Sequence, residues 1–246
     1  MRLSVLTLFP ELIEQNVGSS ITGRALAAGL FELNTVQIRN YAINRYGKVD
    51  DACFGGGTGM LMMAEPVYQA WLAAHTKVGL NETCRTIYLS PRGKVFNQAH
   101  AVELANYDHL ILICGHYEGI DQRVIDEVVD EDLSIGDFVL TGGELAACVV
   151  IDALLRHVTG VLPDEAYTQE SHMGGLLEHP QYTRPAIWHD QPVPDVLLSG
   201  HQHNIERWQL LQSRLDTLKK RPDLLTGHAM SKEEWQELIE FLEARQ

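Results

Sequence analysis

HLILIC, residues 109–114, runs apolar without interruption from Leu110 to Cys114. A strand with one face in water alternates apolar and polar residues, because successive side chains point to opposite sides. A continuous run instead suits a strand covered on both faces, the situation of parallel sheets. Upstream, Leu3, Val5 and Leu8 begin another strand, and Phe31–Arg39 and Thr86–Leu89 supply two more. Helices are expected near 10–16, 20–28, 66–77, 97–105 and 143–158, with Pro66 suited to a first helical turn. Strands alternating with helices argue for an α/β fold with parallel pairing over residues 1–160.

Residues 160–176, GVLPDEAYTQESHMGGL, end the alternation: they are polar, carry Gly174-Gly175, and show neither period. A connection this long reads as a linker or lid, assigned to 161–176. Beyond it, 177–246 reads as a small all-helical domain. Ile205, Trp208, Leu211, Leu215 and Leu218 form one apolar stripe there, and Arg207, Arg214, Lys219, Lys220 and Arg221 are its cations. SKEEWQELIEFLEARQ at 231–246 is a helix with a solvated acidic face, opened by a capping box from Ser231 to Glu234.

The 246 residues are enough for one full core and a smaller appended domain, and 45% hydrophobic with 21% charged residues is ordinary globular composition. A net charge of −14 points away from a nucleic-acid binder. Much of that acid is local to the last helix, which leaves room for a basic surface elsewhere; RNA binding would be weaker and more salt-sensitive than that of a basic protein. The opening MRLSVLTLFPELIEQ has too short an apolar run for a secretory signal, and the longest run, Leu145 to Ile151, stops at Asp152. A cytoplasmic protein without a membrane span is expected. Cys53, Cys84, Cys114 and Cys148 lack paired zinc spacing and read as reduced packing residues.

Four glycine-rich segments bear on chemistry: Gly55-Gly56-Gly57-Thr58-Gly59, Gly115-His116-Tyr117-Glu118-Gly119, Ser134-Ile135-Gly136-Asp137 and Thr141-Gly142-Gly143-Glu144. Any one alone reads most simply as a tight turn. Neither a P-loop nor a dinucleotide fingerprint is present, so a ligand held by main-chain groups, such as an adenosine, suits them better than a phosphate. Thr141 and Glu144 have capping-box spacing, which would put the glycine pair in the first turn of the next helix. That helix, LAACVVIDALLR, is apolar almost all round and must be covered on every side, for which a subunit interface is a natural means. Asp152 and Arg156 lie four apart near its end, spacing that suits an intrahelical ion pair. His201 and His203 lack a further metal-ligand motif and read as a surface loop; Glu170 alone reads as a solvated loop acid.

Five segments in order, VDDACFGGGTGMLM (49–62), YLSPRGK (88–94), ILICGHYEGIDQR (111–123), LSIGDFVLTGGELAA (133–147) and GLLEHPQYTRP (175–185), closely resemble the TrmD family of bacterial tRNA (guanine-37-N1) methyltransferases, SPOUT class. The likeness runs from LFPELI at 8–13 to KRP at 220–222. It implies a SPOUT-type parallel sheet with a deep trefoil knot at the C-terminal end of that domain, an exception to unknotted chains. It also implies a homodimer, a tRNA-binding role for the helical domain, and S-adenosyl-L-methionine as methyl donor. Mg2+ is implied too, although the sequence shows no carboxylate cluster dedicated to a metal.

By the same resemblance, the cofactor touches Tyr88, Leu89, Ser90 and Pro91; Gly115, Tyr117, Glu118 and Gly119; Ser134, Ile135, Gly136, Asp137, Phe138, Val139 and Leu140; and Thr141, Gly142 and Gly143. Gly55, Gly56, Gly57, Thr58 and Gly59 match the loop that approaches the target guanosine. Guanine N1 carries a proton at neutral pH, so a base must remove it before attack on the methyl carbon. The resemblance gives that role to Glu170, where an Asp is usual, and gives Arg156 the negative charge that builds on O6. Phe54, Thr58, His116 and Ala146 also depart from the family's common residues Tyr, Pro, Arg and Pro. Two other readings stand beside this one: a SPOUT methyltransferase for another RNA position, and a non-catalytic RNA-binding dimer.

Overall fold

In the computed structural model the 109–114 run is the central strand of a five-stranded sheet. The structure describes every residue except 57–58, 164–170, 173–174, 227–229 and 244–246. The chain divides into two units, Met1–Pro163 and Asp164–Gln246.

The first unit contains β1 (Arg2–Thr7), β2 (Glu32–Gln37), β3 (Asp50–Ala52), β4 (Met60–Met62), β5 (Cys84–Val95), β6 (His109–Cys114) and β7 (Glu131–Ser134). Its helices are α1 (Pro10–Val17), α2 (Ser20–Ala27), α3 (Ala64–His75), α4 (Gln98–Leu104), α5 (Gln122–Val128) and α6 (Glu144–Leu155). The sheet order is β2-β1-β6-β5-β7 and every pairing in it is parallel. The two-residue period sorts the core into two layers. Leu3, Val5, Ile87, Leu89, Leu110, Leu112 and Cys114 pack with α1, α4 and α6, while Leu6, Tyr88, Ile111 and Ile113 pack with α3 and α5. All six residues of β6 are buried, as its unbroken apolar run requires.

β5 runs further than Thr86–Leu89, through Pro91 to Val95, and its register against β7 breaks between Leu89 and Lys94. Proline cannot donate to a ladder, so the strand peels away over that stretch. α5 and β7 have no counterpart in the sequence reading: α5 is only seven residues long, and β7 has the polar sequence EDLS. α6 buries most of its length, but Leu145 and Val149 are 53% and 48% exposed in this chain, so the first unit alone does not cover the helix all round.

The second unit holds a hairpin of β8 (Ile187–Trp188) and β9 (Gln191–Pro192), then α7 (Asp195–Leu198), α8 (Gln202–Lys220) and α9 (Lys232–Glu243). The hairpin corrects the all-helical reading of 177–246. His189 and Asp190 both have positive φ, 47° and 62°, the mirror-image turn a two-residue hairpin needs. His-Asp is not the usual Asn-Gly signal, which hid the turn. Leu211, Leu215 and Leu238 form this unit's buried core. The Ser231–Glu234 capping box is present: Glu234 N donates to Ser231 Oγ at 3.2 Å and Ser231 N to Glu234 Oε2 at 2.8 Å. The acidic face of α9 is not wholly solvated, because Glu234 pairs with buried Arg214 and Glu237 with Arg207. His203 lies in the first turn of α8 rather than in a loop.

Candidate active site

Because β5, β6 and β7 run parallel, the loops leaving their carboxyl ends gather along one edge of the sheet, the usual place for a ligand in such folds. Residues 88–92, 115–120 and 133–143 supply most of the wall of a cavity of about 460 Å³ there, within the range of small-molecule sites.

Main-chain contact sets its shape. Gly143 N donates to Gly115 O at 2.9 Å, and His116 and Gly142 form an antiparallel bridge, so the loop after β7 lies against the loop after β6. A methyl group on Gly143 would stand 2.7 Å from Cys114 Cα, and one on Gly115 would stand 2.9 Å from the Tyr88 ring. Side chains at those two positions would force the loops apart. On its other side the 115–120 loop is fastened to β4: Glu118 N donates to Met60 O at 3.0 Å and Met62 N to Gly119 O at 2.9 Å. The β3–β4 hairpin, whose tip carries Gly55 and Gly56, is thereby tied to the cavity wall, and Leu61 enters the lining.

Tyr88 is buried at the cavity, and burial first, then the charge of Asp132, raises its hydroxyl above the usual tyrosine range; a hydrogen bond with Ser90 acts against them. Glu144 differs from the sequence reading. α6 starts at Glu144 with Gly143 as N-cap, no side chain caps the helix, and the glycine pair precedes it. The Glu144 carboxylate instead accepts from Thr7 Oγ1 at 2.5 Å and lies 2.7 and 2.9 Å from His116 Nε2. Two partners in a buried environment outweigh one exposed cap.

Of the residues expected at the cofactor, all line this cavity except Gly136, Asp137 and Phe138, which belong to the same loop but lie outside the lining. Gly59 lies beside Glu118, where an added methyl would meet Glu118 Cγ at 2.2 Å. Arg156 terminates α6 as a half-buried C-cap and is not among the lining residues. Gly57, Thr58 and Glu170 lie outside the described residues. Sequence reasoning missed Arg92, His116, Ile125 and Ala146 at the cavity. Arg92, His116 and Ala146 fall inside the quoted motifs, whereas Ile125 belongs to α5, which the sequence reading did not contain. Among the described residues no group of three or more His, Cys, Asp or Glu could hold a metal ion, and no helix is long and apolar enough to cross a membrane.

A parallel sheet whose carboxyl edge, together with the loops after β6 and β7, encloses a cavity of small-molecule size defines the α/β class of this protein. The model of the family described as tRNA (Guanine-1)-methyltransferase TrmD matches residues 1–227. The chain is 54% identical over 225 residues to the tRNA (guanine-N(1)-)-methyltransferase of Ruminiclostridium cellulolyticum, covering 91% of this chain and 96% of that one. The proteins of that name from Alkaliphilus metalliredigens and Shouchella clausii are 48% identical over 242 residues and 50% over 229, covering 98% of both chains and 93% of both chains respectively. The chain belongs to the TrmD family of tRNA (guanine-1) methyltransferases.

Proposed function

We propose that this protein transfers the methyl group of S-adenosyl-L-methionine to N1 of the guanine at tRNA position 37, beside the anticodon. The observation that supports it best is the main-chain cavity formed by the three motif loops in a chain that matches the TrmD family over residues 1–227. The cavity fits the cofactor's chemistry: Gly115 and Gly143 leave backbone open to close approach, while Leu89, Ile135 and Leu140 give it apolar wall. When bound, the cofactor supplies a methyl group made electrophilic by its sulfonium centre.

The protein's own work is to bind, orient and deprotonate. Tyr88 to Pro91, Gly115 with Tyr117 to Gly119, and Ser134 to Gly143 hold the donor, and Gly55 to Gly59 approach the guanosine. Glu170 takes the N1 proton, and Arg156 stabilises the charge that develops on O6; a positioned base contributes roughly 10²–10⁴-fold. These roles come from the family resemblance. No step is assigned to Mg2+, since no fitting carboxylate cluster occurs among the described residues.

The same reading carries three structural proposals. The C-terminal part of the methyltransferase domain forms a deep SPOUT trefoil knot, a reading that rests on the family resemblance. The protein is a homodimer, supported by the apolar Leu145 and Val149 left half-exposed on α6, and it works in the cytoplasm. Residues 1–160 form the methyltransferase domain and 177–246 a tRNA-binding domain; the linker or lid expected at 161–176 falls largely outside the described residues. The decisive experiment is methylation of purified transcripts differing only at guanosine 36 or 37, with labelled donor and mapping of the modified base. Label on N1 of guanosine 37 is expected. Label elsewhere would assign the protein to another RNA position, and no label from native protein would leave the RNA-binding dimer.

A further inference from the structure

Glu144 is the one acidic residue of the first unit that is buried at 3% exposure within an otherwise apolar helix start, and its surroundings explain how it is kept there. Isolated burial of a carboxylate costs several kcal/mol, and apolar residues of similar size would fill the same space more cheaply. The helix N-terminus favours its charge but does not require two further donors. Those donors converge from two other elements. Thr7 ends β1 and its hydroxyl donates a hydrogen bond to Oε1 at 2.5 Å; His116 follows β6 and places Nε2 at 2.9 and 2.7 Å from the two carboxylate oxygens.

The imidazole is fixed on its remaining sides. Phe9 packs at 5.2 Å between ring centroids, and Gly142 lies so close that an added methyl would stand 2.2 Å from His116 Cε1. The His116 main chain is held too: its N–H donates to Met62 Sδ at 3.2 Å. Of the three hydrogen-bonded side chains only His116 lines the cavity; Thr7 and Glu144 stand behind it. A change at Thr7 therefore reaches a cavity ligand through His116, by way of Glu144 or of Phe9, whose N–H donates to Thr7 Oγ1 at 2.9 Å.

We propose that Thr7, Glu144 and His116 act as one buried positioning unit, which sets the spacing of the 115–119 and 141–143 loops and so the affinity of the site for the methyl donor. The inference rests on the methyltransferase reading of this cavity. His116 is a positioning residue through its bond to Glu144, and Gly142 is glycine because the imidazole occupies the space of a side chain.

The test uses the full chain and S-adenosylhomocysteine, the demethylated donor, as calorimetric probe. His116→Phe keeps a ring against Phe9 but removes the nitrogen; His116→Gln returns an N–H near the position of Nε2. Thr7→Val replaces the hydroxyl by a methyl outside the cavity and so releases both Glu144 and Phe9 N. His116→Phe is expected to raise the probe's Kd by about tenfold or more, equivalent to about 1.4 kcal/mol. His116→Gln should recover most of that loss, and Thr7→Val should weaken binding in the same direction. With all three, KM for the donor should rise while KM for tRNA stays put, a split that general loss of structure would not produce. The double variant T7V/H116F should be no worse than H116F alone. Equal Kd values for wild type, Thr7→Val and His116→Phe would overturn the proposal, as would additive losses in the double variant. Should His116→Phe fail to fold, Thr7→Val against wild type decides alone. Wild-type protein that does not bind the probe at all would instead refute the methyltransferase reading.

Discussion

Acidification from about pH 7.5 to about pH 5 tests the buried chemistry of the central sheet at one residue. His109 opens β6 fully buried, with Nε2 2.9 Å from Ser4 Oγ and Nδ1 lacking a hydrogen-bond partner. Burial first, and then the positive charge of Arg2, lower its pKa from 6.5 to about 4, with Glu82 pulling the other way. The unfolded chain therefore binds this proton between pH 6.5 and 4 while the folded one does not, so stability is complete above the unfolded value and is lost as pH falls toward the folded one. At pH 5 the unfolded ring is almost wholly protonated and the folded ring about one-tenth so, a population ratio of about 30, or about 2 kcal/mol of lost stability. Proton NMR of the His109 ring gives the folded pKa directly. Hydrogen exchange of the β1 and β6 amides at the two pH values, compared between wild type and His109→Asn, gives the linked free energy. The variant should lose about 2 kcal/mol of the pH dependence. A native ring titrating near 6.5, or identical pH dependence in both proteins, would refute the reasoning.

Other outcomes are expected at the site and the surface. Gly115→Ala places a methyl 2.9 Å from the buried Tyr88 ring, so calorimetry should show at least about tenfold weaker S-adenosylhomocysteine binding; unchanged affinity would mean that the Tyr88 wall yields. Glu170→Ala should abolish methyl transfer while cofactor affinity holds, and undiminished turnover would remove Glu170 from the mechanism. Arg156→Ala should slow single-turnover transfer by more than about tenfold, a barrier of about 1.4 kcal/mol, and equal rates would leave Arg156 a structural residue of the helix end. Leu145→Glu combined with Val149→Glu, on the exposed stripe of α6, should yield a folded monomer in sedimentation and no transfer activity; an active dimer would dismiss that face as the interface.

How far the residues alone led varies with the range of the interaction involved. The five sheet residues Leu110–Cys114 announced two-sided burial because period and covering are local facts, and the five helices read from the sequence all occur near their expected places. α5 and β7 escaped because short polar segments take their conformation from neighbours, here Asp121 capping α5 through Arg123 N and β5 pairing with β7. The motif loops were legible as a set, but Thr141 to Glu144 misled: the spacing fits a capping box, yet a buried carboxylate goes where two donors await it. Sequence by itself thus determined the α/β class, the family and the segments that line the cavity. Only tertiary structure decided that Thr7, distant by 137 residues, and His116 share one carboxylate, because hydrogen-bond partners are chosen by the folded path of the chain and not by spacing along it.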